Sequence, residues 1–580
     1  MQKATTATYT TSTAFLEALQ EAGVKYIFAN FGSDHPAIIE SLTDASNNNK
    51  ELPKVIISPH EFVAMTAAHG YAQATGEPQA VIVHVECGTQ NIGGAIHNAF
   101  KAKIPVLVFA GASPHTQEGE LLGSRNEFIH WYQDVNDQRG IMRGYSKYDN
   151  EIRTGKNVKQ LTHRALQIAK SEPQGPVYLM GPREVMEEET ERVEMDPALW
   201  EPIAPSALPK QGVDELVADL LVAKNPVVVT SYLGKRHEAV EELVKLCDLL
   251  AIPVIESVPQ TMNFPADNPM HVGYQWNEDK QHPVLDEADF ILAIDTDVPW
   301  IPTKNKPPKK AIIYYIDADP LKEEMPLWYI PSKRFYQANS LIALQQINEN
   351  LQQRDSLADT LVNKRVYKIS LIHQKMKKDL EVLEQPSRDV ITPEYLTACV
   401  REITDDNTII LNEGITNYGA ITAHIGSTKP GSHFTTGAGS LGWHGGAAIG
   451  MKLAHPEKTI ISLTGDGSYL FSVPSVVHTM AEQHETPFLT VIYNNGGWNA
   501  PKHSTLGVHP EGIAKQSNKF WVNFNPNSQL AQVAEAAGNA FATTVDDPTK
   551  LKDALQTAIE HVKNGRSAVL DVHVPKINDM

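Results

Sequence analysis

The sequence contains little cysteine, no excess of basic residues and no long apolar run. Its three cysteines are far apart and show no CxxC spacing, which argues against a zinc site or a disulfide framework and favours a reducing compartment. The net charge of -19 argues against binding to nucleic acid or to an anionic membrane, because both need concentrated basic patches. No run of about 18 apolar residues is present for a membrane span, and the opening MQKATTATYTTSTAF lacks the apolar core of a signal peptide. The sequence therefore predicts a cytoplasmic protein.

Short apolar runs alternate with amphipathic stretches along the whole chain, a pattern typical of βαβ units with parallel strands. A chain of 580 residues is long enough for about three or four domains. We therefore predict an α/β protein built from three doubly wound domains. The predicted limits are residues 1–185 for the first domain, 186–210 for an acidic linker, 211–355 for the central domain, 356–389 for a helical linker and 390–580 for the third domain.

The most apolar short runs are the predicted strands of these domains. The first domain contains VKYIFANFG, KVIISP, QAVIVHV, IPVLVFAG and GPVYLMGP. The central domain contains KNPVVVTSYLG, IPVIESV, DFILAIDT and AIIYYIDAD, and the third contains NTIILNEG, KTIISLTGDG, PFLTVIYNN and SAVLDVHV. Continuous runs of this kind indicate strands that are buried on both faces of a parallel sheet.

Two polar turns follow neighbouring predicted strands of the third domain. Gly465-Asp466-Gly467 ends KTIISLTGDG, and Asn494-Asn495 ends PFLTVIYNN roughly two dozen residues later. Ligands bind beyond the carboxyl ends of the strands in an open α/β sheet. A carboxylate and an amide oxygen suit Mg²⁺, which completes its octahedron with phosphate oxygens and water. Each turn alone fits an ordinary loop, whereas the pair predicts a metal and phosphate site, with glycines that let the backbone approach a phosphate.

The paired turns resemble the thiamine diphosphate (ThDP) and Mg²⁺ motif of the superfamily of pyruvate decarboxylase, acetolactate synthase and benzoylformate decarboxylase. The resemblance covers nearly the whole chain and is weakest in the central domain. It implies a pyrimidine-binding first domain and a diphosphate-binding third domain. The metal ligands that it implies are Asp466, Asn495 and the carbonyl of Gly497, and the cofactor contacts at the first turn are Gly465, Asp466, Gly467 and Ser468.

Four further stretches resemble elements of the same superfamily. In KVIISPHEFVAMTAAHGYAQATG, Glu61 matches the residue that hydrogen-bonds the aminopyrimidine ring of the cofactor, and GTQNIGGAIHNAFKAKIPVLVFAG resembles the GTxN element. In TTGAGSLGWHGGAAIGMKLA, Leu441 matches the side chain that wedges between the two cofactor rings, and Gly439 matches the carbonyl that binds the ring amine. Thr416 in LNEGITNYGA matches a diphosphate contact. Each stretch alone also fits an ordinary helix start or glycine-rich turn.

The resemblance implies cleavage or formation of the C–C bond next to the carbonyl of a 2-oxo acid, by decarboxylation or carboligation through an enamine. Ser33 matches the pocket serine of benzoylformate decarboxylase, which makes it a candidate substrate contact, and His84 matches its first active-site histidine, but Pro302 stands where its second histidine is expected. Acetolactate synthase usually has a Gln where this chain has Ala112-Ser113. A ThDP-dependent hydrolase or lyase acting on a 1,2-dione and a non-catalytic scaffold of the same fold are alternatives, although the retained activator and metal ligands favour an enzyme.

The remaining predictions concern the substrate pocket, the flavin and the assembly. Trp498 and His503, from GGWNAPKHSTLGVHPEG, and His444 are candidate substrate contacts, although packing or surface roles fit each of them, and a core role also fits His84. The central domain lacks the glycine pair and the Arg-rich stretch of flavin-binding relatives, so we expect no FAD. The resemblance implies that Glu61 and the metal motif of one site come from different subunits, which makes a homodimer the minimum active unit and a homotetramer the expected assembly.

Overall fold

The computed structural model describes residues 8–278, 281–354 and 359–576. Within these ranges the chain forms three six-stranded sheets, and the neighbouring strands in each sheet are parallel. This confirms the predicted α/β fold of three doubly wound domains. The predicted limits at residues 355 and 356, like the first seven residues, lie outside the described ranges. No helix among the described residues is both long enough and apolar enough to cross a membrane.

The first sheet has the strand order β2-β1-β3-β4-β6-β5. Its strands are β1 Tyr26–Ala29, β2 Lys54–Ile57, β3 Gln79–Val83, β4 Val106–Ala112, β5 Tyr148–Glu151 and β6 Val177–Pro182. Its helices are α1 Thr11–Glu21, α2 Pro36–Asn47, α3 Glu61–Thr75, α4 Val85–Asn91, α5 Gly93–Lys101, α6 Ile129–Tyr132, α7 Gln138–Met142, α8 Val158–Lys170 and α9 Arg183–Glu187. Alternate residues of β3 enter two different cores, because Val81 and Val83 lie in one and Ala80 and Ile82 in the other. The strand order reverses between β1 and β3, so the loops after these two strands lie side by side.

The central sheet has the order β12-β11-β10-β7-β8-β9. Its strands are β7 Pro226–Thr230, β8 Val254–Ser257, β9 His271–Gln275, β10 Phe290–Ile294, β11 Ile312–Asp317 and β12 Arg334–Gln337. Its helices are α10 Lys210–Val222, α11 His237–Leu250, α12 Pro283–Asp286 and α13 Ser340–Gln352, and α14 Asp359–Leu383 leads on to the third domain. The strand order reverses between β7 and β10, and this is the position at which open sheets usually bind ligands.

The third sheet has the order β14-β13-β15-β16-β18-β17, which repeats the pattern of the first sheet. Its strands are β13 Thr408–Glu413, β14 His433–Thr435, β15 Thr459–Gly465, β16 Leu489–Asn494, β17 Phe541–Val545 and β18 Ala568–His573. Its helices are α15 Pro393–Glu402, α16 Tyr418–Ile425, α17 Trp443–Ala454, α18 Asp466–Phe471, α19 Pro474–Gln483, α20 Asn499–Val508, α21 Ile513–Ser517, α22 Leu530–Gly538 and α23 Leu551–Lys563. The strand order reverses between β13 and β15, so the loops that follow them meet at one edge.

Helices α3 and α17 join the first domain to the third. A Cβ atom added at Gly450 would lie 1.9 Å from the carbonyl oxygen of Ala67, and one added at Gly70 would lie 2.4 Å from that of Ala447. Only glycine permits so close an approach of the two backbones. Because α3 begins at Glu61 and α17 directly follows the Gly439–Leu441 stretch, this seam fixes the relative position of two predicted cofactor segments within one chain.

Candidate active site

The carboxyl ends of β15 and β16 hold two buried oxygen atoms that lack a partner. Gly465 lies opposite Tyr493 in the parallel pairing of these strands, so Asp466 and Asn495 follow adjacent strands. Asp466 Oδ2 and Asn495 Oδ1 have no hydrogen-bond partner among the described residues. Burial, together with the carboxylate of Asp571, raises the pKa of Asp466 to about 6. Buried acceptors normally have donors, so this pair of oxygens fits the ligands of a cation.

The chemistry of the donor set fits Mg²⁺ bound together with a phosphate. No group of three or more His, Cys, Asp or Glu side chains in the described ranges could hold a metal ion. The two turns instead offer one carboxylate and one amide oxygen, to which the resemblance adds the carbonyl of Gly497. Mg²⁺ accepts few protein ligands and takes the others from phosphate and water. Ser468 Oγ at the start of α18 is also buried without a hydrogen-bond partner in the described part of the chain. There is open space beside Gly465, because within the same residues a Cβ added there would meet only the carbonyl oxygen of Gly414, at 3.7 Å.

Asn494, the first residue of the asparagine pair, turns away from this set of oxygens. Its Nδ2 donates to Asp571 Oδ1 at 2.9 Å, and its Oδ1 accepts from the Gly496 N–H at 3.0 Å. Asn495 has its Nδ2 3.4 Å from Thr416 Oγ1, which brings the predicted diphosphate contact to the same edge of the sheet. The first asparagine therefore shapes the turn, and the second presents the open oxygen.

Asn98 of α5 holds the Gly439–Leu441 stretch against the first domain. Its Nδ2 donates to the Ser440 carbonyl at 2.7 Å, and its Oδ1 accepts from the Ser440 N–H at 3.0 Å. Ser440 lies between Gly439 and Leu441, the two residues that the resemblance assigns to the cofactor rings. The sequence analysis missed Asn98, since no local pattern links it to a segment 342 residues away.

Glu413, the last residue of β13, caps the N-terminus of α17. Its carboxylate accepts hydrogen bonds from the backbone N–H groups of Gly442, Trp443 and His444, at 2.9, 3.2 and 2.9 Å. Burial raises the pKa of Glu413 to about 8, although the three N–H donors oppose this shift. The cap fixes the start of the helix that follows the Gly439–Leu441 stretch, and Glu413 was also missed from the sequence.

Glu61 begins α3 and contacts the GTQN element. His60 caps the helix, because its Nδ1 accepts from the Phe62 N–H at 3.2 Å. Glu61 Oε2 accepts from Asn91 Nδ2 at 2.6 Å. A Cβ at Gly88 would lie 3.3 Å from Glu61 Oε1. One carboxylate oxygen of Glu61 is therefore fixed by the GTQN segment.

Ser33 and His84 lie in the two adjoining loops that follow β1 and β3. His84 Nδ1 lies 2.5 Å from Asp34 Oδ1, and its Nε2 lies 2.9 Å from Gln133 Oε1. Asp34 Oδ2 also accepts from the Val85 N–H at 3.1 Å. Burial favours the neutral ring, but the hydrogen bond to Asp34 and its negative charge raise the pKa of His84 above its ordinary value. Asp34 and Gln133 were not identified from the sequence; the position of Asp34 directly after Ser33 was the available signal.

Two β-branched residues, one shortly after β3 and one shortly after β13, adopt left-handed backbone conformations. Val85, directly after His84, has a φ of 30°, and Ile415, directly before Thr416, has a φ of 48°. Such conformations cost about 1–3 kcal/mol each and persist where the surrounding structure imposes them. Strained residues cluster at functional sites, so the loops after β3 and β13 are candidates for a functional role.

The other three candidate substrate contacts, Trp498, His444 and His503, lie in different environments. Trp498 covers the GDG turn, since a Cβ at Gly467 would lie 2.6 Å from its indole ring. His444 is buried, its Nδ1 lies 2.8 Å from Ser462 Oγ, and burial lowers its pKa to about 3. His503 is exposed on α20. The geometry thus places Trp498 beside the predicted cofactor site and favours a packing role for His444.

Family models match three segments that together make up most of the chain. Residues 9–141 match the thiamine pyrophosphate enzyme N-terminal TPP binding domain, residues 213–326 match the central domain, and residues 414–572 match the C-terminal TPP binding domain. Thiamine pyrophosphate is a second name for thiamine diphosphate. The matched segments contain Glu61, Asp466 and Asn495.

Curated relatives and a solved structure are similar over most of their length. The acetolactate synthase large subunit of Buchnera aphidicola subsp. Schlechtendalia chinensis is 24% identical over 579 residues, 97% of this chain and 94% of the relative. A probable 2-ketoarginine decarboxylase of Pseudomonas aeruginosa is 25% identical over 480 residues, 80% of each chain. The thiamine diphosphate-dependent 4-hydroxybenzoylformate decarboxylase of Rhodococcus jostii RHA1 shares the fold, with a TM-score of 0.76 at 21% identity over 98% of this chain and 99% of that one. The chain therefore belongs to the thiamine pyrophosphate enzymes.

Proposed function

We propose that this protein uses ThDP and Mg²⁺ to cleave or form the C–C bond next to the carbonyl of a 2-oxo acid, by decarboxylation, carboligation or both. The observation that carries the proposal is the pair of open oxygen atoms, Asp466 Oδ2 and Asn495 Oδ1, at adjacent strand ends. They belong to a chain that all three ThDP-enzyme domain models match. The names of the relatives, an acetolactate synthase and a decarboxylase, support this class of reaction.

The proposal gives each part of the site a task. Asp466, Asn495 and the carbonyl of Gly497 hold Mg²⁺, and the metal and the diphosphate bind together because the protein supplies few ligands of its own. Glu61, which accepts a hydrogen bond from Asn91, hydrogen-bonds the pyrimidine ring and exchanges a proton with it. When bound, ThDP supplies the electron sink for the bond that is cleaved. The remaining contacts are Thr416 and Ser468 to the diphosphate and Gly439 and Leu441 to the rings.

Calorimetric titration of ThDP into the protein, with and without Mg²⁺, tests the cofactor assignment. Wild-type protein is expected to bind ThDP tightly only with the metal, and Asp466→Ala is expected to lose this dependence on the metal. Asp546→Asn, an exposed carboxylate of the same domain, is the matched control and is expected to behave like the wild type. Undiminished ThDP affinity in Asp466→Ala would exclude the assignment.

A screen of 2-oxo acids and 1,2-diones, with CO₂ and carboligation products measured, tests the reaction. Glu61→Gln is expected to bind ThDP but to exchange its C2 proton about 10²–10⁴-fold more slowly than the wild type. Glu51→Gln, an exposed residue before β2, is the control. ThDP binding without turnover of any 2-oxo acid would contradict the proposal. In that case, turnover of a 1,2-dione alone would identify a dione hydrolase or lyase. The absence of both turnover and C2 proton exchange would identify a non-catalytic scaffold.

The proposal includes a homodimer as the smallest active form and a homotetramer as the assembly. Phe471 and Trp498, beside the GDG turn, are 49% and 40% exposed, and Phe128 and Tyr132 on the first domain are 75% and 80% exposed. Grouped exposed aromatic side chains mark interaction surfaces, and a second copy of the chain is the occupant that the family resemblance implies. Sedimentation velocity on the ThDP-loaded protein measures the assembly, and an active monomer would contradict it.

We also propose that the central domain binds no flavin. Tyr232, Asp317 and Lys322 occupy the carboxyl ends of its strands, where open sheets usually bind their ligands. Lys322 Nζ lies 2.7 Å from Asp317 Oδ2 and 2.8 Å from Tyr232 Oη, and all three residues are buried. The purified protein is expected to be colourless, and a stoichiometric flavin absorption spectrum would overturn this prediction.

A further inference from the structure

We propose that Asp34 is a positioning residue that holds His84 in its doubly protonated form, so that the ring meets the substrate with a proton to donate from Nε2. The proposal rests on the proposed function, since it assigns the ring to the substrate side of the same site. It adds a second residue to the pocket, together with the chemical state of the first, and neither is evident from the sequence.

The contacts of the ring carry the proposal. Both ring nitrogens face oxygen atoms, Nδ1 that of Asp34 at 2.5 Å and Nε2 that of Gln133 at 2.9 Å. A ring that donates at both nitrogens is an imidazolium. The Asp34 side chain is fully buried, whereas that of His84 keeps 21% of its surface exposed. The His84 ring thus compensates the negative charge of Asp34 inside the domain, while part of the ring itself stays exposed.

The surrounding backbone is shaped to admit this pair. A Cβ at Gly32 would lie 1.9 Å from His84 Nδ1, and a Cβ at Gly111 would lie 1.8 Å from Asp34 Oδ2. Two glycines therefore leave the space that the ring and the carboxylate occupy. The second oxygen of Asp34 accepts the N–H of Val85, the strained residue next to His84. One carboxylate thus fixes both the ring and the backbone that carries it.

The other titratable groups near the ring do not compete for its Nδ1. His35, from the same loop as Asp34, has its Nδ1 3.2 Å from the same Asp34 Oδ1, but this nitrogen accepts the Gly32 N–H and so has no proton for Asp34, and burial lowers the pKa of His35. Glu86 of α4 accepts from the N–H and the thiol of Cys87, at 2.8 and 3.0 Å. Asp34 therefore remains the anion bonded to the ring, and the His35 and His84 rings hold its pKa below the ordinary value although burial opposes this.

Two buried polar groups near the ring lack partners and indicate where a substrate oxygen would bind. Gln133 Nε2 and Ser33 Oγ have no hydrogen-bond partner among the described residues. Gln133 bonds the ring directly, and Ser33 lies between Gly32 and Asp34 in the chain. In the proposed step the Nε2 proton passes to a substrate oxygen or carbon. The ring is left as a neutral imidazole with its Nδ1–H still bonded to Asp34, so one proton moves and no electrons are exchanged with the protein.

Nitrogen-15 NMR of the ThDP- and Mg²⁺-loaded enzyme, labelled at histidine, tests the protonation state without any substrate. His84→Gln identifies the signals by difference. Wild-type His84 is expected to be doubly protonated at neutral pH and to titrate above the ordinary value of about 6.5, and Asp34→Asn is expected to lower this midpoint by about one pH unit or more. Glu40→Gln, an exposed carboxylate on α2, is the control. A neutral wild-type ring, or an unchanged midpoint in Asp34→Asn, overturns the proposal.

The pH profile of kcat/KM then tests the role in turnover. Activity is expected to fall as the pH rises through the His84 midpoint, and Asp34→Asn is expected to move this fall to lower pH and to reduce kcat by at least about tenfold with ThDP affinity retained. Asp34→Glu, which keeps the carboxylate, is expected to restore part of kcat. Asp34→Asn should add little to His84→Ala, because the two residues act as a unit.

Equal pH profiles for the wild type and Asp34→Asn, or additive losses in the double variant, overturn the proposal. If Asp34→Asn does not fold, the wild-type spectrum still decides the protonation state of the ring. If no 2-oxo acid is turned over, the proposed function fails on its own, whereas the ring titration is judged separately.

Discussion

At the scale of single residues, Asn494 and Asn495 show how two identical side chains take different roles. Asn494 bonds Asp571 and the Gly496 N–H, so both ends of its amide are used within the turn. The side-chain oxygen of Asn495 has no hydrogen-bond partner within the residues that the structure describes. Asn494→Ala is therefore expected to alter the shape of the turn, whereas Asn495→Ala is expected to remove one oxygen ligand from the proposed metal site.

The first prediction is that Mg²⁺-dependent ThDP binding weakens as the pH falls through about 6. Without the metal, burial and the neighbouring Asp571 raise the pKa of Asp466 to about 6. Above that pH the carboxylate is ionised and free to bind Mg²⁺, whereas below it a proton competes with the metal. Titrations of Mg²⁺ at fixed ThDP across the pH range measure the midpoint. Asp571→Asn removes a negative charge and is expected to lower the midpoint; a raised or unchanged midpoint would contradict the electrostatic explanation.

At the scale of helices and strands, burial decides which elements the sequence predicts. Every interior strand of the three sheets is predicted, because strands covered on both faces carry continuous apolar runs. The missed strands, β5, β9, β12, β14 and β17, all lie at sheet edges. Strand β5 reads YDNE, for example, and each of its residues is partly exposed. An edge strand has one neighbour and often carries polar residues, so its pattern resembles that of a loop.

The second prediction concerns the cap of α17. Glu413→Gln replaces one acceptor oxygen by an NH₂ group that faces backbone N–H donors, so it is expected to lower the free energy of unfolding by about 1–3 kcal/mol. Chemical denaturation of the ThDP-loaded protein at about pH 9, above the raised Glu413 pKa of about 8 so that both oxygens are acceptors, measures the loss. The control is Glu402→Gln, which removes an exposed ion pair with Lys552 and is expected to cost at most about 1 kcal/mol. Equal stability of the two variants would show that the cap is dispensable.

The third prediction concerns the clamp on Ser440. Asn98→Ala removes two hydrogen bonds from the backbone between Gly439 and Leu441. A net loss of about 1–2 kcal/mol corresponds to roughly tenfold weaker ThDP binding, with Mg²⁺ still required. Calorimetry measures the affinity. Asn47→Ala, at an exposed position of α2, serves as the comparison, and wild-type affinity in Asn98→Ala would mean that the clamp does not act on the cofactor.

At the scale of the whole molecule, the predicted and the missed parts of the site differ in how far apart they lie in the chain. Asp466 and Asn495 end neighbouring strands and sit in short motifs, so sequence alone locates them. Asp34 meets His84 only because the sheet order reverses between β1 and β3, and Asn98 meets Ser440 only because two domains join. Such partners depend on three-dimensional packing, which local sequence patterns do not encode.

The fourth prediction concerns the charged cluster between the first and central domains. Lys103 of the first domain bonds Asp297 at 2.9 Å, and buried Lys322 bonds Asp297 at 2.8 Å and Asp317 at 2.7 Å. Lys322→Met leaves buried Asp317 without its cation and Asp297 with Lys103 alone, which is expected to cost about 3–5 kcal/mol. Thermal and chemical unfolding measure the loss. Lys375→Met, which breaks an exposed pair with Asp379, is the control, and similar stabilities of both variants would contradict the prediction.

The seam between α3 and α17 has a consequence for how the gene can be divided. Gly70, Gly446 and Gly450 bring the two backbones together so closely that neither helix keeps a face suited to water. Dividing the chain within residues 186–210 separates α3 from α17. Each fragment then exposes the strip of small residues that packs against the other helix in the intact chain. The first and third domains thus pack against each other as one body, although the central domain separates them in the chain.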